Sequence, residues 1–331
     1  MDLLLFKILK GNTLRKNNYL SLFLVFCFTV SAIYSKSYDI VTHGSRGARS
    51  QWYKPSLDGT INFFEELEMQ AQRRNVDYVE PFTWSGSSGF PLSSEKSVKA
   101  HVQAAEELAD LCLSLYPDKP DTYIGHSNGG VVGLLASHML WNPYHHPGKV
   151  APKLFDQPDG KQAAADIWAR KYIQERVLAR QRQFTAQDPQ IKIPYLIMIA
   201  TPQNKYLYKA NMDTVGFVIA LHSEADRIQK TFSLSRIYSP GRNVLNLRVT
   251  TELSNGGRVY PLHTGFMTPF IAREILNLMP SAMSALSLDK NKLGSVLAVD
   301  VLIHENAQKP LVFKRIQDLN VLGFKASGNG L

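Results

Sequence analysis

From residue 37 to residue 279 the chain alternates two hydrophobic patterns. Short runs that are almost wholly apolar read as strands buried on both faces. Longer stretches, in which apolar residues recur every three or four positions, read as amphipathic helices. The strands are SYDIVTH (37–43), VDYVEPFTW (76–84), TYIG (122–125), YLIMIAT (195–201), VGFVIALHS (215–223) and VLNLRVT (244–250). Between and after them fall the helical patterns at 61–74, 95–116, 131–141 and 268–279. In the second of these, Val98, Val102, Ala105, Leu108, Cys112 and Leu115 form one stripe, and Pro117 and Pro120 close it. Apolar strands alternating with helices predict a doubly wound α/β fold, with a mostly parallel sheet covered on both faces.

Two segments break this rhythm. Residues 142–192 separate a helix from the next strand by about fifty residues, where such a connection normally takes two to six. This insertion contains a helical pattern, KQAAADIWARKYIQERVLARQRQ (161–183). A chain leaving a crossover helix emerges at the amino edge of the sheet, whereas ligands bind at the carboxyl edge. The insertion therefore reaches a site only by folding back around the domain. Its Arg170, Lys171, Arg176, Arg180 and Arg182 read as a solvated helix face. The tail, 281–331, carries LGSVLAVDVLI and is expected to add a strand pair or pack on a sheet edge. The organisation is thus a leader (1–36), an α/β domain (37–280) with a helical insertion, and a C-terminal extension.

The leader has Lys7, Lys10, Arg15 and Lys16 ahead of an apolar run at 19–34. A positive segment before an apolar run that is short for a spanning helix reads as a signal peptide, with Val30-Ser31-Ala32 as the cleavage region. An uncleaved signal anchor is the rival reading. Either way the protein is expected to be exported, secreted or periplasmic, or membrane-anchored. Of the two cysteines, Cys27 lies in the leader, so the mature chain keeps only Cys112, a core residue, and no internal disulfide. The net charge of +9 favours acidic partners or an anionic membrane surface. The basic residues are scattered and no nucleic-acid-binding motif is present, so nucleic acid is set aside as a partner.

The stretch TYIGHSNGGVVGLLAS (122–137) places a serine between a strand and a helix. Gly125-His126-Ser127-Asn128-Gly129 matches G-x-S-x-G in the strand–turn–helix context that gives this motif its meaning. The small residues let strand and helix backbones pass closely, and the turn raises Ser127 to a helix N-terminus, where negative charge is favoured. A serine hydroxyl needs a base. Among nine histidines, His263 lies after the last apolar strand and before a helix, where the base belongs in the chain order Ser…Asp…His. His126 is expected to point away from the serine, His222 to stand near the site, and His145 and His146 to lie on the surface without metal-binding spacing. The loop after VGFVIALHS supplies Asp226 as the orienting acid, with Glu224 as the alternative. An oxyanion hole is expected from the N–H of Asn128 and that of Ser45, or Gly44, in the THGSRG loop. The aromatics Trp52, Tyr53, Trp84, Tyr206, Tyr208 and Phe266 are expected to line an apolar acyl pocket. No metal or cofactor is called for.

Together VTHGSRG, PFTWSG, YIGHSNGG, IATPQN, HSEADRIQ and HTGFMTPFI resemble the α/β-hydrolase superfamily, specifically its serine lipase/esterase-like members. The resemblance covers 37–279 and implies an acyl-enzyme mechanism carried by Ser127, His263 and Asp226. It implies an ester or lipid substrate without choosing among esterase, thioesterase and amidase or peptidase chemistry. A non-catalytic binding module of the same fold is the reading from another class. Two features depart from the family pattern: the two opening strands are absent, and the tail has no counterpart.

Overall fold

Apolar side chains on both faces of the central strands set the architecture. In β1 (Ser37–Thr42), Ile40 and Val41 point to opposite sides of the sheet, yet both are fully buried. Tyr123 and Ile124 of β3 (Lys119–His126), Leu196 and Ile197 of β4 (Ile193–Ile199), and Val218 and Ile219 of β5 (Val215–His222) repeat the pattern. A strand buried at successive positions needs a helical layer on each face. The structure, a computed structural model, describes residues 35–44, 52–54, 56–57, 60–85, 94–155, 164–202, 209–228, 243–285 and 299–316. The leader residues 1–34 lie outside them. Residues Ser37–Leu331 form one compact unit, distinct from Met1–Lys36.

One layer consists of α2 (Glu95–Ser114), α3 (Asn128–Met139) and α4 (Ala164–Gln181), packed on Ile40, Tyr123, Leu196 and Val218. The other consists of α1 (Phe63–Arg73), α5 (Pro269–Ile275) and α6 (Leu278–Ala285), packed on Val41, Ile124, Ile197 and Ile219. The sheet order is β2-β1-β3-β4-β5-β6-β8-β9, with β2 at Tyr78–Phe82 and β6 at Val244–Glu252. All pairings from β2 to β8 are parallel. The short β7 (Arg258–Val259) and β9 (Val312–Arg315) pair antiparallel with β6 and β8. The fold is therefore mixed α/β with a mostly parallel sheet. The tail joins that sheet: β8 (Val299–His304) lies beside β6, and β9 closes the edge.

Local chemistry sets the helix starts. Asn62 caps α1 by accepting from the N–H groups of Phe64 and Glu65, while Glu65 accepts from the Asn62 N–H, a complete capping box. Ser94 caps α2 through the Ser97 N–H. The N-cap of α3 is Ser127, and its side chain makes no capping bond. Every residue of α3 is buried, as befits a helix enclosed on all sides.

The insertion folds back along the helical layer. Arg176 pairs with Glu106 and Arg180 with Asp110, so α4 advances in the same direction as α2. Its Ala164 end therefore lies on the carboxyl-edge side. Arg170 stacks over Phe155, and Lys171 pairs with Glu175 one turn along its own helix. Arg170, Arg176 and Arg180 thus tie α4 to Phe155 and to α2. Among the described residues no helix is long and apolar enough to cross a membrane.

The first layer also buries histidines. The His101 ring of α2 packs on Trp84 with neither nitrogen hydrogen-bonded, and burial pulls its pKa down to about 4. His138 of α3 has its Nε2 2.8 Å from the Lys209 carbonyl oxygen, and burial again lowers its pKa to about 4. Both stay neutral in the folded chain while the unfolded chain takes up protons near 6.5. Their contribution is present above about pH 6.5 and is lost as pH falls toward 4. Denaturant midpoints should therefore drop over that window, and His101→Leu should make the decline shallower by up to about 1.4 kcal/mol per pH unit. An unchanged slope would show that His101 is protonated in the folded state.

Candidate active site

The strand order fixes where a site can lie. From β1 the chain crosses through α1 to β2 on one side, then through α2 to β3 on the other side of β1. The carboxyl ends of β1 and β3 are where the order reverses, and open α/β sheets leave a crevice there. Gly44 follows β1 and Ser127 follows β3. A Cβ added at Gly44 would sit 2.5 Å from Ser127 Cβ and 3.1 Å from Ser127 Oγ, so the Gly44 main chain packs directly on the serine side chain.

Ser127 has φ 52° and ψ −126°, a conformation disfavoured for a residue with a Cβ. Its N–H donates to the Ile199 carbonyl at 2.8 Å, and its own carbonyl accepts from Gly130 N–H at 3.0 Å. The glycines make the turn possible by close approach. A Cβ at Gly125 would lie 2.6 Å from Gly129 C, and one at Gly129 would lie 2.7 Å from the His43 carbonyl oxygen. Asn128 opens α3 immediately after the serine, so the hydroxyl stands at a helix N-terminus.

The turn after β1 is held by an aromatic clamp. His43 Nε2 accepts from the Trp84 N–H at 3.3 Å, so Nδ1 carries the proton and donates to the Gly44 carbonyl at 2.6 Å. Trp84 Nε1–H returns a bond to the His43 carbonyl at 3.0 Å, and the rings stack with centroids 5.6 Å apart. Burial lowers the His43 pKa and keeps the ring neutral. Trp84 is thus a buried prop of this turn, only 2% exposed. Tyr53 and Phe266 are also fully buried, each in the core on the α1–α5 face. None of these three rings presents an open wall. Ser45, Tyr206 and Tyr208 lie outside the described residues.

The acid and the base come from the next loops along the same edge. Asp226, in the turn after β5, is buried. Its Oδ1 accepts from the Ile228 N–H at 2.9 Å, and its Oδ2 lies 2.9 Å from His263 Nδ1. Glu224 faces elsewhere: it pairs with Arg248 of β6 at 2.7 Å, and the same guanidinium grips Asp300 of β8. A carboxylate can only accept from the neutral ring, so His263 Nδ1 bears the proton and Nε2 is left as the basic nitrogen. The His263 side chain is 13% exposed. No hydrogen bond joins it to Ser127 Oγ in this structure.

One residue of the site was not foreseen in this role. The His126 side chain lies against the His263 loop. Its Nε2 lies 2.9 Å from the His263 carbonyl oxygen, the two rings are 4.8 Å apart, and Trp52 meets it edge-on at 5.5 Å. The partners are 137 positions apart, and no local pattern announces such a pair. His222 is buried at the end of β5. His145 and His146 lie at the start of the insertion, where His145 meets the Asp188 carbonyl and His146 stacks on Trp141. Among the described residues no group of three His, Cys, Asp or Glu side chains is arranged to hold a metal ion.

Comparison with protein-family models, curated proteins and solved structures gives no match. Any functional reading therefore rests on this geometry. The close approach of Gly44 to Ser127 is testable by stability alone. Gly44→Ala should cost about 1–3 kcal/mol through overpacking, seen as a lower denaturant midpoint at unchanged m-value. A neutral effect would mean that the turn after β1 does not press on Ser127.

Proposed function

We propose that the protein is a serine hydrolase that cleaves carboxylic esters through an acyl-enzyme, with Ser127 as nucleophile, His263 as base and Asp226 as orienting acid. The observation that carries the reading is the part-buried Asp226–His263 hydrogen bond, set at the same sheet edge as a serine in a strained strand–helix turn. The chain order Ser…Asp…His, each residue in a loop beyond the carboxyl ends of the strands, supports the finer assignment to the α/β-hydrolase superfamily and its lipase/esterase-like members.

Each step uses a group already described. His263 Nε2 takes the Ser127 proton as Oγ attacks the acyl carbonyl. Asp226 holds the imidazole in the Nδ1–H tautomer and stabilises its charged form. The developing oxyanion falls to the main-chain N–H of Asn128 at the start of α3, with the turn at Gly44 and Ser45 as the second source. His263 then protonates the leaving alcohol. Water then attacks the acyl carbon and gives its proton to the same nitrogen, which passes it to Ser127 Oγ as the acyl–Oγ bond breaks and the acid leaves. Ser127 is suited to this role because its hydroxyl is not committed to capping α3.

A fluorophosphonate probe should label the folded wild-type protein, and Ser127→Ala should abolish labelling while leaving the fold intact. Equal labelling of the variant would remove Ser127 as nucleophile. Folded wild-type protein that is never labelled would favour a binding module. On a p-nitrophenyl acyl ester, Asp226→Asn should lower kcat roughly 10⁴-fold by favouring the wrong tautomer. Glu224→Gln should cost far less, because that carboxylate serves Arg248. The reverse ranking would reassign the acid.

A further inference from the structure

We propose that His126 is a positioning residue: its neutral Nε2–H holds the main-chain carbonyl of His263 and so fixes where the His263 ring stands relative to Ser127. This rests on the reading of Ser127, His263 and Asp226 given above, and it assigns work to a side chain which that mechanism leaves unused.

The hydrogen-bond chemistry determines the tautomer. A carbonyl oxygen can only accept, so the His126 nitrogen 2.9 Å away must be the donor. His126 is buried between Trp52 on one side and the His263 ring on the other. Burial, with His263 beside it, pushes its pKa down to about 3. The charged and titratable groups around it are His263, Asp226 and His43. A neutral neighbour does not oppose the positive charge that His263 acquires in turnover.

The loop that carries His263 needs such a tie. Tyr260 and Leu262, just before it, are both at least half exposed. The turn closes on itself through Gly265 N–H to Leu262 O and Met267 N–H to Thr264 O. Asp226 grips the imidazole at Nδ1, two side-chain torsions away from the main chain. His126 supplies the second point. Because it is bonded covalently to Ser127, nucleophile and base are linked by one residue and one hydrogen bond.

The test uses the full chain with two variants, His126→Phe and His126→Gln. Phenylalanine keeps the ring and loses the donor; the glutamine amide restores a donor at similar reach. Labelling of Ser127 by a fluorophosphonate, and kcat on a p-nitrophenyl ester, should fall about 100-fold in His126→Phe with KM nearly unchanged, as misplacement of a reacting group by about 1 Å does. His126→Gln should recover most of that loss. A folded His126→Phe protein that reacts at the wild-type rate would overturn the proposal, as would a folded glutamine variant no better than phenylalanine. A third measurement needs no variant. The ¹⁵N shifts of the His126 ring in the wild-type protein should report the Nε2–H tautomer, and the Nδ1–H tautomer would sink the idea even if neither variant folds. If the wild-type protein is never labelled, the hydrolase reading fails. The tautomer, together with the His263 Nδ1–H resonance, sharp in wild type and broadened in His126→Phe, still judges the positioning role by itself.

Discussion

The carboxyl edge of this sheet is organised around the strained backbone of Ser127, with Ala200 after β4 also at positive φ beside it. Ser127 has a positive φ, a state that costs about 1–3 kcal/mol and persists only when its surroundings over-determine it. They do so from several directions. Strand β3 is paired on both sides, with β1 up to Gly125 and with β4 up to His126, the residue before the serine. Helix α3 begins at the residue after it and is enclosed throughout its length. The glycines at 125 and 129 leave backbone against backbone at separations that any side chain would destroy. A turn trapped between a central strand and a buried helix cannot relax without moving both. That is why the strain can be stored at this point and not in an outer loop.

The contrast among helix starts shows what the strain achieves. Asn62 and Ser94 do the ordinary work of an N-cap and commit their side-chain oxygens to the backbone. Ser127 occupies the same position on α3, but its unusual ψ turns the hydroxyl away from the first-turn N–H groups. The helix N-terminus therefore keeps its electrostatic bias, and the hydroxyl remains uncommitted above it. A residue type usually chosen for its capping ability has been placed where it cannot cap.

Much of this was legible in the chain because it follows from periodicity. Strands buried on both faces, the alternation with helices and the serine turn are all local patterns, and they appear where those patterns end. Asp226 was separable from Glu224 by its place in the loop, but the physical reason lies elsewhere, in Arg248, which engages Glu224 and Asp300 together. That guanidinium also explains the tail, since Asp300 sits on β8 and its pairing helps seat β8 beside β6. Nothing local in the tail specifies a parallel strand. The direction of α4 was equally hidden, because the partners that reveal it, on α2, stand some seventy positions away. His126 was hidden for the same reason: its partner is a carbonyl, which every residue possesses.

A histidine beside a carboxylate is not by itself a catalytic signature, and this protein makes the point internally. His304 Nδ1 lies 3.1 Å from Glu252, a separation close to that between His263 and Asp226. The two pairs differ in what else surrounds the carboxylate. Glu252 also binds Lys309 and Arg258 and is drawn down to a pKa of about 2, chiefly by the Lys309 bond. Its charge is therefore shared among three donors that tie β6, β7, β8 and the segment before β9 together. Asp226 is buried, with one carboxylate oxygen accepting from the Ile228 N–H and the other facing His263 Nδ1. Its field acts on that imidazole in a low-dielectric surrounding, where such a field is strong. His43, His101, His126 and His138 all lose basicity chiefly to burial, and at His126 the nearby Asp226 offsets only part of that loss. Of the nine histidines, His263 alone among those described combines an aimed carboxylate, partial exposure and a place beside the serine turn, and environment more than residue type singles it out as the base.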